Sequence, residues 1–339
     1  HRVVQCLCGH GHSDHTGNYY LFIAAETVCI WYYSGVCQGM NAVRTVGLQR
    51  MSTHNGPGIR STLFVKGCPL RCIWCHNPES QAIAPQIAFI EKKCSFCRKC
   101  GDVCPLHAHI FDANGHRVNW NACDGCGLCA TVCRNDALIL YGREMTVPEV
   151  MEVFLKDQIY YEASNGGITI SGGEPTMHLD FVLELLKCCK EKHLSTAIDT
   201  CGYAPTESFE KLLPLTDYFL YDIKHIAPEE HRKYTGVSNE LIVSNLHYLD
   251  QQGANIEIRI PCIPGVNTAD DVIDRIGALL APLRHLSGVR ILPYNNFCGS
   301  KYHDLGMRNS IPQVQPPTTA EMNLIKSRLE KFDLEVLYG

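Results

Sequence analysis

A chain of 339 residues with 45% hydrophobic side chains can bury a large core, so its 20 cysteines are not the framework of a small secreted scaffold. A formal net charge of −5 argues against a nucleic-acid or anionic-membrane footprint. Cysteines clustered at Cys-x2-Cys spacing in a protein this long read as metal chemistry in a reducing compartment, hence a cytoplasmic location.

Residues 1–39 share no pattern with the rest of the chain. His10, His12 and His15 stand among scattered cysteines, and the one apolar run, 19–33, is broken by Glu26. That run falls short of the roughly 20 residues a membrane span needs, and no small-residue cleavage site marks a signal peptide. The segment is expected to be an extension of no recognised structure, irrelevant to the fold, with Met40 or Met51 nearer the functional start. A weak tether or a metal-binding tail is the alternative.

From Arg60 short apolar strands alternate with amphipathic helices, the pattern of parallel β/α architecture. Strands are predicted at 61–66, 167–171, 195–199, 218–222, 255–260 and 289–292. Thr146 and Glu149 form a capping box that opens a helix with Val150, Phe154 and Leu155 on its apolar face. Another helix carries Phe181, Val182, Leu185 and Leu186. Six such strands predict an α/β fold, a partial (β/α)6 TIM-like barrel over 40–83 and 142–339, with 84–141 inserted. Reactive groups in such folds gather at the carboxyl ends of the strands.

The polar and glycine signals sit at those ends. Cys68 follows the first strand, Gly172-Gly173-Glu174 the second, Asp199-Thr200 ends the third, Asp222 and Lys224 end the fourth, and Arg259 lies on the fifth. Alone, a Gly-Gly-Glu reads as a turn with a solvated glutamate, and an isolated Lys or Arg as surface charge. Five signals at consecutive strand ends are not explained by solvation. Cys68, Cys72 and Cys75, in GCPLRCIWC, supply three thiolates where a structural zinc wants four in a closed tetrahedron. Three thiolates hold three irons of a cubane and leave the fourth iron open.

The inserted stretch contains CSFCRKCGDVCP and CDGCGLCATVC, each repeating the bacterial ferredoxin run Cys-x2-Cys-x2-Cys-x3-Cys, whose fourth cysteine serves the other cluster. One 4Fe-4S cluster is therefore assigned to Cys94, Cys97, Cys100 and Cys133, and a second to Cys123, Cys126, Cys129 and Cys104. Paired zinc sites would not call for a third cysteine at this spacing. Pro105 fits the ferredoxin run; Arg134 departs from it. Cys188, Cys189, Cys201, Cys262 and Cys298 read as small buried hydrophobes.

From about Gln49 onward the chain resembles the radical S-adenosylmethionine (SAM) superfamily, and more narrowly the activating enzymes of glycyl radical enzymes. The resemblance rests on STHNGPGIRSTLFVKGCPLRCIWCHNPES, TISGGEPTMH, AIDTCGY, YDIKH, RIPCIPGVN and LPYNN…SKYHDLG. It implies that Cys68, Cys72 and Cys75 ligate a third 4Fe-4S cluster whose open iron takes the amino and carboxylate groups of SAM. It further implies Gly172 and Gly173 against the methionine moiety, Glu174 accepting from its ammonium, and Lys224 and Arg259 at the carboxylate and its neighbours. Asn77 and Asn295 would lie near the ribose, Trp74 against adenine, and Asp199, Thr200 and Asp222 around a monovalent cation. Asn55 stands where the family usually has Asp, at the contact with a partner's glycine loop, and Asn295 where it often has His; either amide hydrogen-bonds but carries no charge.

The implied reaction is reductive cleavage of SAM to methionine and a 5′-deoxyadenosyl radical that abstracts hydrogen from a backbone glycine of a partner enzyme. The implied partners are a glycyl radical enzyme and a low-potential reductant such as flavodoxin or ferredoxin, with the chain itself a monomer. The two-cluster insertion resembles activases serving dehydratases, decarboxylases and carbon-nitrogen or carbon-sulfur lyases. One alternative is a radical SAM enzyme acting on a small molecule, for which the chain offers no extra C-terminal domain. The other is a multi-cluster electron-transfer protein, which leaves the three-cysteine triplet unexplained.

Overall fold

The computed structural model describes residues 41–339; the extension expected over 1–39 and the start expected at Met40 lie outside them. The described chain opens with β1 (Ala42–Ser52) and β2 (Arg60–Val65). The cysteine-rich stretch follows as β3 (Gln86–Phe89), α1 (Lys99–Asp102), β4 (His109–Asp112), β5 (Gly115–Val118), α2 (Leu128–Thr131) and β6 (Leu138–Tyr141). Then come β7 (Arg143–Thr146), α3 (Val147–Leu155), α4 (Gln158–Ser164), β8 (Gly167–Gly172), α5 (Leu179–Glu191), β9 (Ser195–Thr200), α6 (Thr206–Leu212) and β10 (Tyr218–Asp222). The chain ends with α7 (Pro228–Thr235), α8 (Glu240–Gln251), β11 (Ile256–Cys262), α9 (Asp270–Leu280), β12 (Leu286–Pro293), α10 (Gly299–Asp304), α11 (Thr319–Glu330) and β13 (Val336–Tyr338).

One nine-stranded sheet runs in the order β13-β12-β11-β10-β9-β8-β2-β1-β7. The strands from β2 through β13 pair in parallel, and β1 pairs antiparallel with both β2 and β7. All six predicted strands are present as β2, β8, β9, β10, β11 and β12. The sheet stays open, because β7 and β13 each pair on one side only, which agrees with a partial barrel. Three strands lack the apolar pattern for physical reasons. Only Val43, Thr45 and Ser52 of β1 are buried, so it shows no apolar alternation, and β7 and β13 are too short to show a period.

Parallel strands covered on both faces are apolar throughout. Ile168, Ile170, Ile256, Ile258 and Ile260 are wholly buried against the outer helices. α3 is opened by the capping box: Thr146 N–H donates to Glu149 Oε2 at 2.7 Å, and Glu149 N–H to Thr146 Oγ1 at 3.5 Å. Val150 and Phe154 face the core, but Leu155 turns outward, a correction to the expected face.

The GPGIR segment closes the opposite end of the sheet from the cysteine loop. Gly58 sits at φ +69°, and a Cβ there would stand 2.5 Å from the Ser164 carbonyl, so only glycine fits. Arg60 is fully buried at the amino ends of the strands. Its guanidinium donates to Thr169 Oγ1 at 2.8 Å, to the carbonyls of Pro57 and Ser195 at 3.2 Å, and to the Ile168 carbonyl. Burial lowers its pKa to about 10, which leaves it charged near neutrality. A segment that reads in sequence as a family marker is thus a structural plug.

Residues 84–141 form a small unit in which β3 pairs with β6 and β4 with β5, all antiparallel. Its two halves repeat each other. Arg98 and Gly127 both precede a one-turn helix in the left-handed conformation. Cys104 Sγ and Cys133 Sγ each accept the backbone N–H of the residue four further on, at 3.3 Å. The unit meets α10 where the Trp120 indole lies on Gly306. Among the described residues no helix is long and apolar enough to cross a membrane.

Candidate active site

The loop after β2 is held from several sides. Gly67 N–H donates to the Ser80 carbonyl at 2.7 Å and Cys68 N–H to the Gln81 carbonyl at 3.1 Å. Arg71 and Ile73 donate to the Thr235 and Tyr234 carbonyls at the end of α7, and Tyr302 Oη on α10 donates to the Cys75 carbonyl at 3.1 Å. So fixed, Cys68, Cys72 and Cys75 border one cavity of about 360 Å³ at the carboxyl end of the parallel strands. Gly172 and Gly173 form part of the same wall, and the packing requires them before any ligand does. A Cβ on Gly172, at φ +113°, would stand 2.4 Å from Val65 N, and one on Gly173 would stand 1.9 Å from the Gly67 carbonyl.

The thiols differ in their surroundings. A hydrogen bond from Cys201 holds the Cys68 thiol below its ordinary pKa, against the effect of burial. Burial pushes Cys72 up to about 12 and raises Cys75 as well. Cys201 itself, bonded to Cys68 and buried beside Glu174, keeps its proton far above the usual range. Cys201 is buried, as expected, in an apolar cluster with Leu70, Trp74 and Ile263. Cys188, Cys189, Cys262 and Cys298 are buried among apolar side chains.

Two acid–base pairs occupy the cavity floor. Lys224 Nζ lies 2.6 Å from Asp222 Oδ2, and Arg259 Nη1 lies 3.4 Å from Asp199 Oδ2, which also accepts from Ser171 Oγ at 2.7 Å. Burial works against the Lys224 ammonium, yet Asp222 and Cys72 outweigh it and raise its pKa. Burial raises Asp199, with Asp222 adding to the shift and Arg259 opposing it. Arg259 also donates to the His54 carbonyl, while its buried Nε makes no hydrogen bond among the described residues and lies 3.9 Å from Glu257 Oε1. Three thiols on one wall and paired charges on the other thus fit a cluster with an open iron facing a charged small molecule.

Most of the expected ligand contacts border this cavity: Trp74, Asn77, Asp199, Thr200, Lys224 and Arg259, with Asn55 at its edge. Trp74 is buried and tilted toward Tyr234, so it is both core and wall. Asn55 Nδ2 donates to Ser52 Oγ and Thr62 Oγ1, each at 3.0 Å, and so braces the turn between β1 and β2.

Two expectations need correction. Glu174 turns away from the cavity: its carboxylate, wholly buried, accepts from Cys201 N and Thr200 Oγ1 at 2.8 Å, Thr176 Oγ1 at 2.9 Å and Thr176 N at 3.2 Å. Oε1 takes three of these bonds and Oε2 one, so the carboxylate is held by the protein's own donors. Asn295 does not border the cavity; its Oδ1 accepts from Phe297 N, and its carbonyl meets His76 Nε2 at 2.9 Å. Asp199 and Asp222 each meet a basic side chain, and the Thr200 hydroxyl is committed to Glu174.

The Glu174 assignment has a measurable consequence. Glu174→Ala takes the acceptor from four donor groups and is expected to cost about 3 kcal/mol. A melting curve should show a clear drop in Tm. An unchanged Tm with weakened SAM binding would put the carboxylate back on the ligand.

In the unit at 84–141, Cys133 joins Cys94, Cys97 and Cys100 around a cavity of about 160 Å³ that Phe111 and His116 also border. Burial first, then Cys123, Cys100, Cys126 and Cys104, push the Cys129 thiol up to about 12. Cys123 is raised by burial, with Cys104 and Cys126 contributing. The fourth cysteine of the second run therefore lines a cavity with the three of the first.

Residues 62–276 match the Radical SAM superfamily, so the fold and the cysteine loop define a radical SAM enzyme, which uses a 4Fe-4S cluster and SAM. The chain is 40% identical over 297 residues to the trans-4-hydroxy-L-proline dehydratase activating enzyme of Clostridioides difficile, spanning 87% of this chain and 98% of that one. It is 38% identical over 295 residues to the choline trimethylamine-lyase activating enzyme of Oleidesulfovibrio alaskensis, spanning 85% and 95%. With the indoleacetate decarboxylase activating enzyme of Tractidigestivibacter scatoligenes it shares 39% identity over 301 residues, spanning 86% and 95%. The chain belongs to the activating enzymes of glycyl radical enzymes within the radical SAM superfamily.

Proposed function

We propose that Cys68, Cys72 and Cys75 hold the family's cluster, and that Lys224 and Arg259 orient the carboxylate of SAM, with Trp74 and Asn77 on its adenosine side. One observation carries this reading: the three loop thiols and the two acid–base pairs border the same cavity. Bound there, cluster and SAM supply one-electron cleavage to methionine and a 5′-deoxyadenosyl radical. The chain's own residues fix the loop, exclude water and hold the glycine pair against Gly67. The substrate is a backbone glycine of a glycyl radical enzyme; relatives named for a dehydratase, a lyase and a decarboxylase support a partner of that kind.

Residues 84–141 are read as a ferredoxin-like domain with two further 4Fe-4S clusters, on Cys94, Cys97, Cys100 and Cys133 and on Cys123, Cys126, Cys129 and Cys104. The exchange of fourth cysteines between the runs supports it. Trp120 and α10 give packed contact from Cys123 to the active-site loop, which supports electron relay from a low-potential reductant such as flavodoxin or ferredoxin.

The deciding experiment combines the anaerobically reconstituted protein with dithionite, SAM and a candidate glycyl radical enzyme. A glycine-centred doublet in the electron paramagnetic resonance (EPR) spectrum is expected. Deoxyadenosine without a protein radical across several partners would favour a small-molecule substrate.

A further inference from the structure

His116 lies at one of the two cysteine groups of 84–141, and nothing in the reaction accounts for it. The side chain is 4% exposed, stacked on Phe111 at 4.4 Å between ring centroids and 17° between planes, with Phe89 tilted against it at 4.3 Å. Its Nδ1 lies 3.3 Å from Cys94 Sγ. Its Nε2 lies 3.0 Å from His109 Nδ1 and 3.9 Å from Cys100 Sγ. The ring borders the cavity shared by Cys94, Cys97, Cys100 and Cys133.

A neutral imidazole has one N–H, and its neighbours decide where it goes. A metal-bound Cys94 has no proton, so its sulfur can only accept. The Nδ1 lone pair cannot face that thiolate, so Nδ1 carries the proton and Nε2 accepts from His109 Nδ1–H. The two histidines then form a one-way chain of donors ending on sulfur. The other cysteine group differs. The internal repeat puts Leu138 where the first half has His109, five residues past the fourth cysteine. Among the described residues no imidazole hydrogen-bonds a sulfur of Cys104, Cys123, Cys126 or Cys129; Cys104 accepts from the Ala108 backbone.

We propose that His116, supported by His109, donates a hydrogen bond to the Cys94 thiolate and makes the cluster held by Cys94, Cys97, Cys100 and Cys133 easier to reduce than its twin. The inference rests on the reading of 84–141 as a two-cluster domain. Its physical basis is that one-electron reduction adds negative charge to the cluster and its thiolates, and an N–H aimed at sulfur stabilises the reduced state more than the oxidised one. The electron comes from the low-potential reductant, and no proton is transferred. His116 is a positioning residue in this role.

The test is an anaerobic potentiometric titration of the reconstituted full chain, followed by EPR, alongside iron and sulfide analysis. His116→Phe keeps the aromatic stack and removes the donor. At the potential where the native cluster is half reduced, its ratio of reduced to oxidised form is expected to fall about fivefold, the weight of one net hydrogen bond. The other two clusters should titrate as before, and His116→Gln, which retains an N–H, should recover most of the shift. Full iron content with unmoved titration curves in His116→Phe would overturn the inference alone. Iron enough for only one cluster in the native protein would overturn the two-cluster reading and the inference with it. Native protein carrying 15N-labelled histidine gives a check without substitution: a nitrogen hyperfine coupling on an auxiliary-cluster signal is expected, and its absence would overturn the assignment.

Discussion

Cys72→Ala is expected to abolish SAM cleavage while leaving the iron of residues 84–141 in place. Cys72 is the most buried of the three loop thiols, and its neighbours Cys68 and Cys75 cannot hold a cubane alone. The loop itself should survive the change. Its anchors are backbone hydrogen bonds to Ser80, Gln81, Thr235 and Tyr234, and the Cys72 carbonyl that accepts from Cys75 N–H at 3.2 Å is unaffected by the side chain. Loss of one small buried group costs on the order of 1 kcal/mol of packing, which a core of this size tolerates. The expected result is iron and sulfide reduced by one cluster's share, together with no deoxyadenosine above background by chromatography. Retained SAM cleavage would remove the triplet from the chemistry.

The strands of the barrel were legible because burial on both faces leaves short apolar runs that few other structures produce, as with Ile168 and Ile170 on β8. β1 gave no such signal, since eight of its eleven residues are not buried and its place is set by pairing with β2 and β7. The cysteines were legible because the ligand count and spacing are chemical constraints that hold before folding. Glu174 was misread for the opposite reason. Sequence places it beside the two glycines, but only the fold shows that its carboxylate turns back to meet Thr176, Thr200 and Cys201. Asn295 spends its side-chain oxygen on a local bond from Phe297 N–H, so neighbouring motif residues say little about where its amide points.

Gly306→Val tests whether contact between the two parts of the molecule carries electrons. Gly306 sits at φ +64°, and a Cβ there would stand 1.8 Å from Trp120 Cδ1, so any side chain must push the indole away. Valine adds β-branching in the left-handed region, where it is poorly tolerated, and overpacking of this kind costs about 1–3 kcal/mol. Trp120 packs on the small core that includes Cys123, and α10 is tied to the active-site loop by Tyr302 and by Lys301, whose Nζ bonds the His76 carbonyl at 3.0 Å and Glu79 Oε1 at 2.6 Å. Displacing the indole therefore loosens the packing of residues 84–141 on the end of α10 without touching a thiol. Iron content should match the native protein. Dithionite, small enough to reach the active-site cluster from solvent, should still drive SAM cleavage at near the native rate. Cleavage driven by a protein donor should fall at least about tenfold, equivalent to a barrier higher by about 1.4 kcal/mol. Equal losses with both reductants would mean that the substitution disturbs the active-site loop itself, and a native rate with the protein donor would show that electrons reach the loop by another route.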